Sequence, residues 1–180
     1  MNLKGTKTEQ NLRDAFAGES QARNMYTYFA GQARKDGYVQ IASLFEETAN
    51  NEKEHAKVWF KQLQDGGVLP ATAENLLAAA AGEEHEHTVM YPEFAKVARE
   101  EGFADLAVLF EKVADIEAAH EARFRKLHEN MQKGVVFARE DAQVWECGNC
   151  GHFHQGTNAP KLCPVCVHPQ SYFFVKAENY

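Results

Sequence analysis

Glu52 and His55 stand three residues apart, and Glu117 and His120 repeat that spacing 65 positions further on. Around them the phrase FEETANNEKEH (residues 45–55) returns as FEKVADIEAAH (110–120), with the Phe, the first Glu, the Ala, the second Glu and the His in the same places. On a helix, residues three apart share a face, so each Glu-x-x-His offers one carboxylate and one imidazole to the same point. Carboxylate oxygens together with imidazoles are ligands for iron or manganese rather than for calcium.

A second set of residues points to a different metal centre. Cys147-Gly-Asn-Cys150 and Cys163-Pro-Val-Cys166 are separated by twelve residues. Two CxxC knuckles at this spacing make a tetrahedral tetrathiolate site, which both zinc and iron accept.

The elements that position the first set are helices. Residues 8 to about 132 are rich in Ala, Glu, Lys, Leu and Phe, with apolar residues three and four apart. The pattern predicts a helix capped by Thr8 and ending near Gly37, a second from Tyr38 to Gln64, a third from Thr72 to Gly102 and a fourth from Phe103 to Gln132. Four long amphipathic helices make a bundle. Pairing Asn24 with Val89 through Gln62 with Leu127 gives 39 pairs and 15 identities, which is the signature of a duplicated helical hairpin.

Heptad steps place the ligands on the inward faces. Glu52 lies between Phe45 and Trp59, and Glu117 between Phe110 and Phe124. Glu19 is in line with Leu12, Phe16, Tyr26 and Phe29, and Glu83 and Glu86 are in line with Leu76, Met90 and Phe94. Carboxylates facing a core without a cation would neutralise rather than stay charged. A Glu on each of two helices with Glu-x-x-His on the other two is the dimetal ligand set of ferritin-like bundles. Five carboxylates against two Fe(II) leave one net negative charge. Against two Fe(III) and a bridging oxide they leave the same charge, so the redox state can change with little change in buried charge.

The two copies differ at one point. Glu19 precedes Met25 by six residues, but Glu83 precedes Met90 by seven. In a regular helix Tyr91 would lie about 80° from Glu83, against about 20° for Tyr26 and Glu19. A single i→i+5 turn absorbs the extra residue, and Pro92, which lacks an N–H, already disfavours a regular ladder there. His85 falls about 200° from Glu83 and His87 only about 40°. His85 is therefore expected in solvent, and His87 beside the site or competing as a ligand.

From Lys133 the texture changes to short β-prone runs, turn formers and aromatics. Residues 1–133 are expected to form the bundle, 134–143 a linker, and 144–180 a small domain that needs a metal in place of an apolar core. Of its histidines, His152, His154 and His168 are expected at the surface or beside the thiolates rather than as ligands. The net charge of −7 and the lack of a basic stripe argue against nucleic acid. MNLKGTKTEQNLRD has no apolar core of a secretory leader, and no stretch approaches a membrane span. A cytoplasmic home with reduced cysteines is expected.

With both metal motifs in view, the chain resembles the rubrerythrins over nearly its whole length. The resemblance rests on AGES in the first helix, NEKEH, AGEEHEHTVMYPEFAKVAREEGF, IEAAH and the terminal CGNC…CPVCVHPQSYF. It implies a mainly α fold, a ferritin-like four-helix bundle followed by a rubredoxin-like metal-knuckle β domain. It implies two iron ions in a carboxylate-bridged site held by Glu19, Glu52, His55, Glu83, Glu86, Glu117 and His120. It also favours iron over zinc between Cys147, Cys150, Cys163 and Cys166.

Glu86, which has no counterpart in the first helix, matches the extra carboxylate that sets rubrerythrins apart from plainer ferritin-like sites. The implied activity is a peroxidase reducing hydrogen peroxide to water in oxidative-stress protection. In such enzymes Glu86 and His55 exchange as ligands of one iron, and Tyr26 and Tyr91 hydrogen-bond the ligand carboxylates or the peroxide. Rubredoxin or an NAD(P)H-dependent reductase is the implied electron donor, and a homodimer or larger homo-oligomer the implied assembly. Two rivals stand beside this reading. A ferritin-like protein that oxidises and stores ferrous iron would have no need of a thiolate relay. A zinc-ribbon adaptor fused to a structural bundle would need neither Glu86 nor the tyrosines.

Overall fold

The computed structural model describes residues 3–179. The chain forms two compact units, one ending at Pro70 and the other running from Ala71 onward. The fold is mainly helical, with a small antiparallel sheet at the C-terminal end.

The first unit is a hairpin of α1 (Lys7–Lys35) and α2 (Val39–Gln62). The cap of α1 is Thr6, which corrects the expected Thr8. The Thr6 hydroxyl oxygen accepts from the Glu9 backbone N–H at 3.1 Å, and the Glu9 carboxylate reaches back to the Gly5 N–H at 2.7 Å. Thr6 has a Glu three residues on, the pairing that makes a capping box; Thr8 has Asn11 there instead. At its other end α1 stops in a Schellman turn. The Tyr38 N–H bonds the Ala33 carbonyl and the Gly37 N–H that of Arg34, with Gly37 at φ 86°, a conformation only glycine adopts without cost.

The second unit begins with α3 (Thr72–His85), a π turn (Glu86–Met90) and α4 (Tyr91–Glu100), which together form one long interrupted helix. It turns at Gly102, φ 89°, into α5 (Ala104–Gln132). The extra residue between Glu83 and Met90 is absorbed as its spacing implies: the Tyr91 N–H bonds the Glu86 carbonyl, an i→i+5 bond. Thr88 also donates its hydroxyl to the Glu84 carbonyl, at 2.5 Å.

The duplication holds in the packing of each hairpin. Ala30, Ala33 and Ala42 are buried against Phe45, and Ala95, Ala98 and Ala107 against Phe110. Small residues at these points let the paired helices approach closely. Tyr26 lies 6.2 Å and Phe29 5.7 Å from the Phe45 ring, while Tyr91 and Phe94 lie 6.1 and 5.7 Å from Phe110. The ion pair Arg34–Glu46 recurs as Arg99–Glu111.

The sheet has the order β2-β1-β3, built from β1 (Ala138–Cys147), β2 (Phe153–Asn158) and β3 (Phe173–Val175). Trp145 is opposite His154 on one side and Val175 on the other. β1 starts inside the stretch expected to be linker, because pairing with β2 extends as far as Ala138 through an irregularity before Gln143. No helix among the described residues is long and apolar enough to cross a membrane.

Candidate metal centres

Each hairpin brings a Glu from one helix to a Glu-x-x-His on the other. In the first, the His55 Nδ1 lies 2.8 Å from Glu52 and 3.8 Å from Glu19. In the second, the His120 Nδ1 lies 2.6 Å from Glu117 and 3.8 Å from Glu83. The three ligand atoms of each triad lie within 4.8 Å of one another, close enough for a single cation.

The second triad shows the need for that cation most clearly. Burial, then the neighbouring Glu117 carboxylate, hold the Glu83 carboxyl above its usual range, with Glu86 adding to the effect and His120 opposing it. A metal ion would remove this repulsion and supply the missing positive charge. Glu86 is outside the tight triad, yet its charge is felt by both Glu83 and Tyr91. Burial first, then Glu86, Glu117 and Glu83, raise the Tyr91 phenol, which keeps its proton and remains a donor.

His87 turns away from any ligand role. A carboxylate only accepts, so the imidazole Nε2–H donates to Glu121 Oε2, at 2.6 Å. The other Glu121 oxygen accepts from Arg125, which also bonds Glu84 at 2.6 Å. His87 first, then Arg125, hold the Glu121 carboxyl below its usual range. His85 is exposed, as its angle on the helix implies.

The four cysteines close a cage. Cys147 and Cys166 are 3.7 Å apart at sulfur, and Cys150 and Cys163 are 3.6 Å apart. A tetrahedron with metal–sulfur bonds of about 2.3 Å has edges of about 3.8 Å, so the sulfurs stand at metal-site spacing and far outside disulfide range. Cys166 is drawn down to about 6: burial raises it, but the His168 backbone N–H and the Cys150 thiol outweigh that. Cys150 is pushed up to about 12: the His152 backbone N–H lowers it, but Cys166, burial, Cys163 and Cys147 prevail. Four thiolates require a positive ion among them.

His152, His154 and His168 stay outside this cage. His168 instead packs on the Tyr172 ring, with centroids 4.4 Å apart.

Both knuckles are formed by backbone turns. The Gly151 N–H bonds the Cys147 carbonyl with Gly151 at φ 73°; the Val167 N–H bonds the Cys163 carbonyl with Val167 at φ 61°. A β-branched residue in the left-handed region is strained by about 1–2 kcal/mol. Val167 is 66% exposed, so replacing it loses little packing. Val167→Gly is therefore expected to stabilise the knuckle by about 1 kcal/mol, read as a higher midpoint for thermal loss of its metal.

A carboxylate-histidine triad in each of two duplicated hairpins, joined to a tetrathiolate knuckle, defines a ferritin-like metalloprotein with a rubredoxin-like appendage. The rubrerythrin family profile matches residues 10–128 and again 74–147, and the rubrerythrin rubredoxin-like domain matches residues 145–174. Rubrerythrin of Nitratidesulfovibrio vulgaris is 51% identical, covering 99% of both chains. Rubrerythrin of Porphyromonas gingivalis is 50% identical over 99% of this chain and 94% of its own. A solved nigerythrin in a mixed-valence state is 31% identical over 97% of this chain and 91% of that one, with a TM-score of 0.36.

The chain belongs to the rubrerythrin family. It is a diiron oxidoreductase of oxidative-stress defence, with carboxylate and histidine ligands for the diiron site and a four-cysteine knuckle for one further iron.

Proposed function

We propose that this protein is a peroxidase that reduces hydrogen peroxide to water, its diiron ligands being Glu19, Glu52, His55, Glu83, Glu86, Glu117 and His120. The observation that carries this reading is the pair of equivalent Glu–Glu–His triads together with a thiolate cage in one chain. Held by these residues, two ferrous ions would supply the two electrons that cleavage of one O–O bond without a free radical needs. The remaining requirement is two protons, since peroxide, two electrons and two protons give two waters. Tyr91 retains its proton among the carboxylates, so it can donate a hydrogen bond to the substrate or to a ligand oxygen. Tyr26, its partner in the repeat, packs on Phe45 in the same way and takes the same role.

His55 and Glu86 are the pair proposed to exchange as ligands of one iron. His55 is the most exposed group of its triad, at 55%, which leaves its ring room to move. Cys147, Cys150, Cys163 and Cys166 would hold an iron able to pass single electrons, with a rubredoxin or an NAD(P)H-dependent reductase as the proposed source. A homodimer or larger homo-oligomer is the proposed assembly, in keeping with the prevalence of symmetric oligomers.

Metal analysis, a visible spectrum and a peroxide-consumption assay test the reading together. Expected are about three irons per chain, thiolate-to-iron charge-transfer bands, and reductant-dependent loss of peroxide. Many irons per chain with little peroxide turnover would favour iron storage instead. A colourless zinc protein would end both readings.

A further inference from the structure

We propose that Glu84, Arg125, Glu121 and His87 form a brace that holds the π turn in place, and that His87 is thereby a positioning residue for Glu86. The proposal rests on the reading of Glu86 as an iron ligand.

The geometry fastens the turn on both sides. Glu84 precedes it, on the last turn of α3, and is held by Arg125 at 2.6 Å. His87 lies inside it and donates to Glu121 at 2.6 Å. Glu121 and Arg125 are one helical turn apart on α5, and Glu121 directly follows His120. The two sequence separations, 34 and 41 residues, make this a tertiary brace rather than a local helix contact.

A helix with one residue too many can place its widened turn at more than one position. Each one-residue shift rotates the side chain it passes by about 100°. Such a shift would take His87 off Glu121 and swing Glu86 away from Glu83. Thr88 and Pro92 favour a break in the ladder near this point, but neither reaches another helix through a side-chain hydrogen bond. Among the described residues, His87 is the residue within the π turn that makes a side-chain hydrogen bond to α5.

The duplicated hairpin is an internal control. Its α1 is unbroken from Lys7 to Lys35, and it has no counterpart of Glu86. At the positions equivalent to Glu84, Glu121 and Arg125 it has Ser20, Ala56 and Phe60. The brace, the π turn and the extra carboxylate thus occur together in one copy and are absent together from the other. Arg125 and Glu84 are about half exposed and contribute little to stability. The His87–Glu121 pair, at 21% and 17%, is the better shielded part.

His87→Phe removes the donor and keeps an aromatic ring, whereas His87→Gln keeps a terminal N–H that can reach Glu121. In the full-length iron-loaded protein, backbone amides of residues 86–91 are expected to exchange at least about tenfold faster in His87→Phe and to recover in His87→Gln. Both variants should keep the native iron content. Peroxide turnover should fall about tenfold in His87→Phe, within the range for residues that orient metal ligands. Added to Glu86→Ala, the same substitution should cause no further loss.

Unchanged amide exchange in His87→Phe overturns the brace. An equal loss of turnover with and without Glu86 overturns the positioning role. Should the native protein reduce no peroxide, the peroxidase reading fails by itself. The amide exchange, and a shift in the diferric spectrum that is absent in the Glu86→Ala background, still decide the brace.

Discussion

Replacing Cys163 by Ser is expected to remove one iron per chain, unfold the small sheet and reduce steady-state peroxide turnover at least about 100-fold. Cys163 is 1% exposed, and its sulfur stands 3.6 Å from that of Cys150. The core around it is Trp145, Cys147, Cys163, Ala159 and Phe173, so two of its five buried members are metal-binding thiols. With so little apolar material the module depends on its metal; structural tetrahedral sites contribute on the order of 10 kcal/mol to folding. Serine offers a hard oxygen in place of a soft thiolate, a poor ligand for this cage.

The expected loss exceeds the ~10–100-fold typical of groups that only orient a ligand, because here a ligand itself is gone. A pre-reduced sample should still consume about one peroxide per chain in a single turnover, since Glu19, Glu52, His55, Glu83, Glu86, Glu117 and His120 are untouched. Stopped-flow spectra with and without external reductant separate the two effects. Full steady-state turnover in Cys163→Ser would show that electrons reach the diiron site by another route.

Much of the fold was legible because it is written twice. The 65-residue offset brought out the paired triads, the Phe45 and Phe110 clusters and the glycine turns at Gly37 and Gly102. Even the π turn was visible, as a step of seven residues where the first copy has six. What stayed hidden depends on contacts that neither periodicity nor repetition records. Glu84, Glu121 and Arg125 look like any solvated helix charges, and only the approach of α3 and α5 joins them to His87. The early start of β1 is similar: Ala138-Arg-Glu-Asp has no strand character of its own, and its pairing with Asn158 makes it one. At Thr6 the signal was present, in the Glu three residues on, but Thr8 lay nearer the first apolar step.

Glu86→Ala is expected to leave two irons bound by the triads and yet slow peroxide turnover tenfold or more. Glu83, Glu117 and His120 already present three ligand atoms within 4.8 Å, and Glu19, Glu52 and His55 do the same, without any help from Glu86. The first hairpin forms its triad with no such carboxylate, so the fold of a hairpin and the closing of its triad do not depend on one. What Glu86 adds is a negative charge close to Glu83 and Tyr91, at the start of a widened turn braced through His87. A helix departs from regular geometry at some cost, and π turns are most frequent where a function requires them. The proposed requirement is a carboxylate available to one iron in one oxidation state and withdrawn in the other. Its removal should therefore spare iron content and thermal stability while lowering kcat, and it should abolish the difference in iron coordination between the reduced and oxidised protein. Iron analysis, thermal melts and X-ray absorption of both states measure these three quantities. A variant that loses iron or unfolds would make Glu86 a structural ligand instead, while one with native kcat would leave the π turn without its proposed purpose.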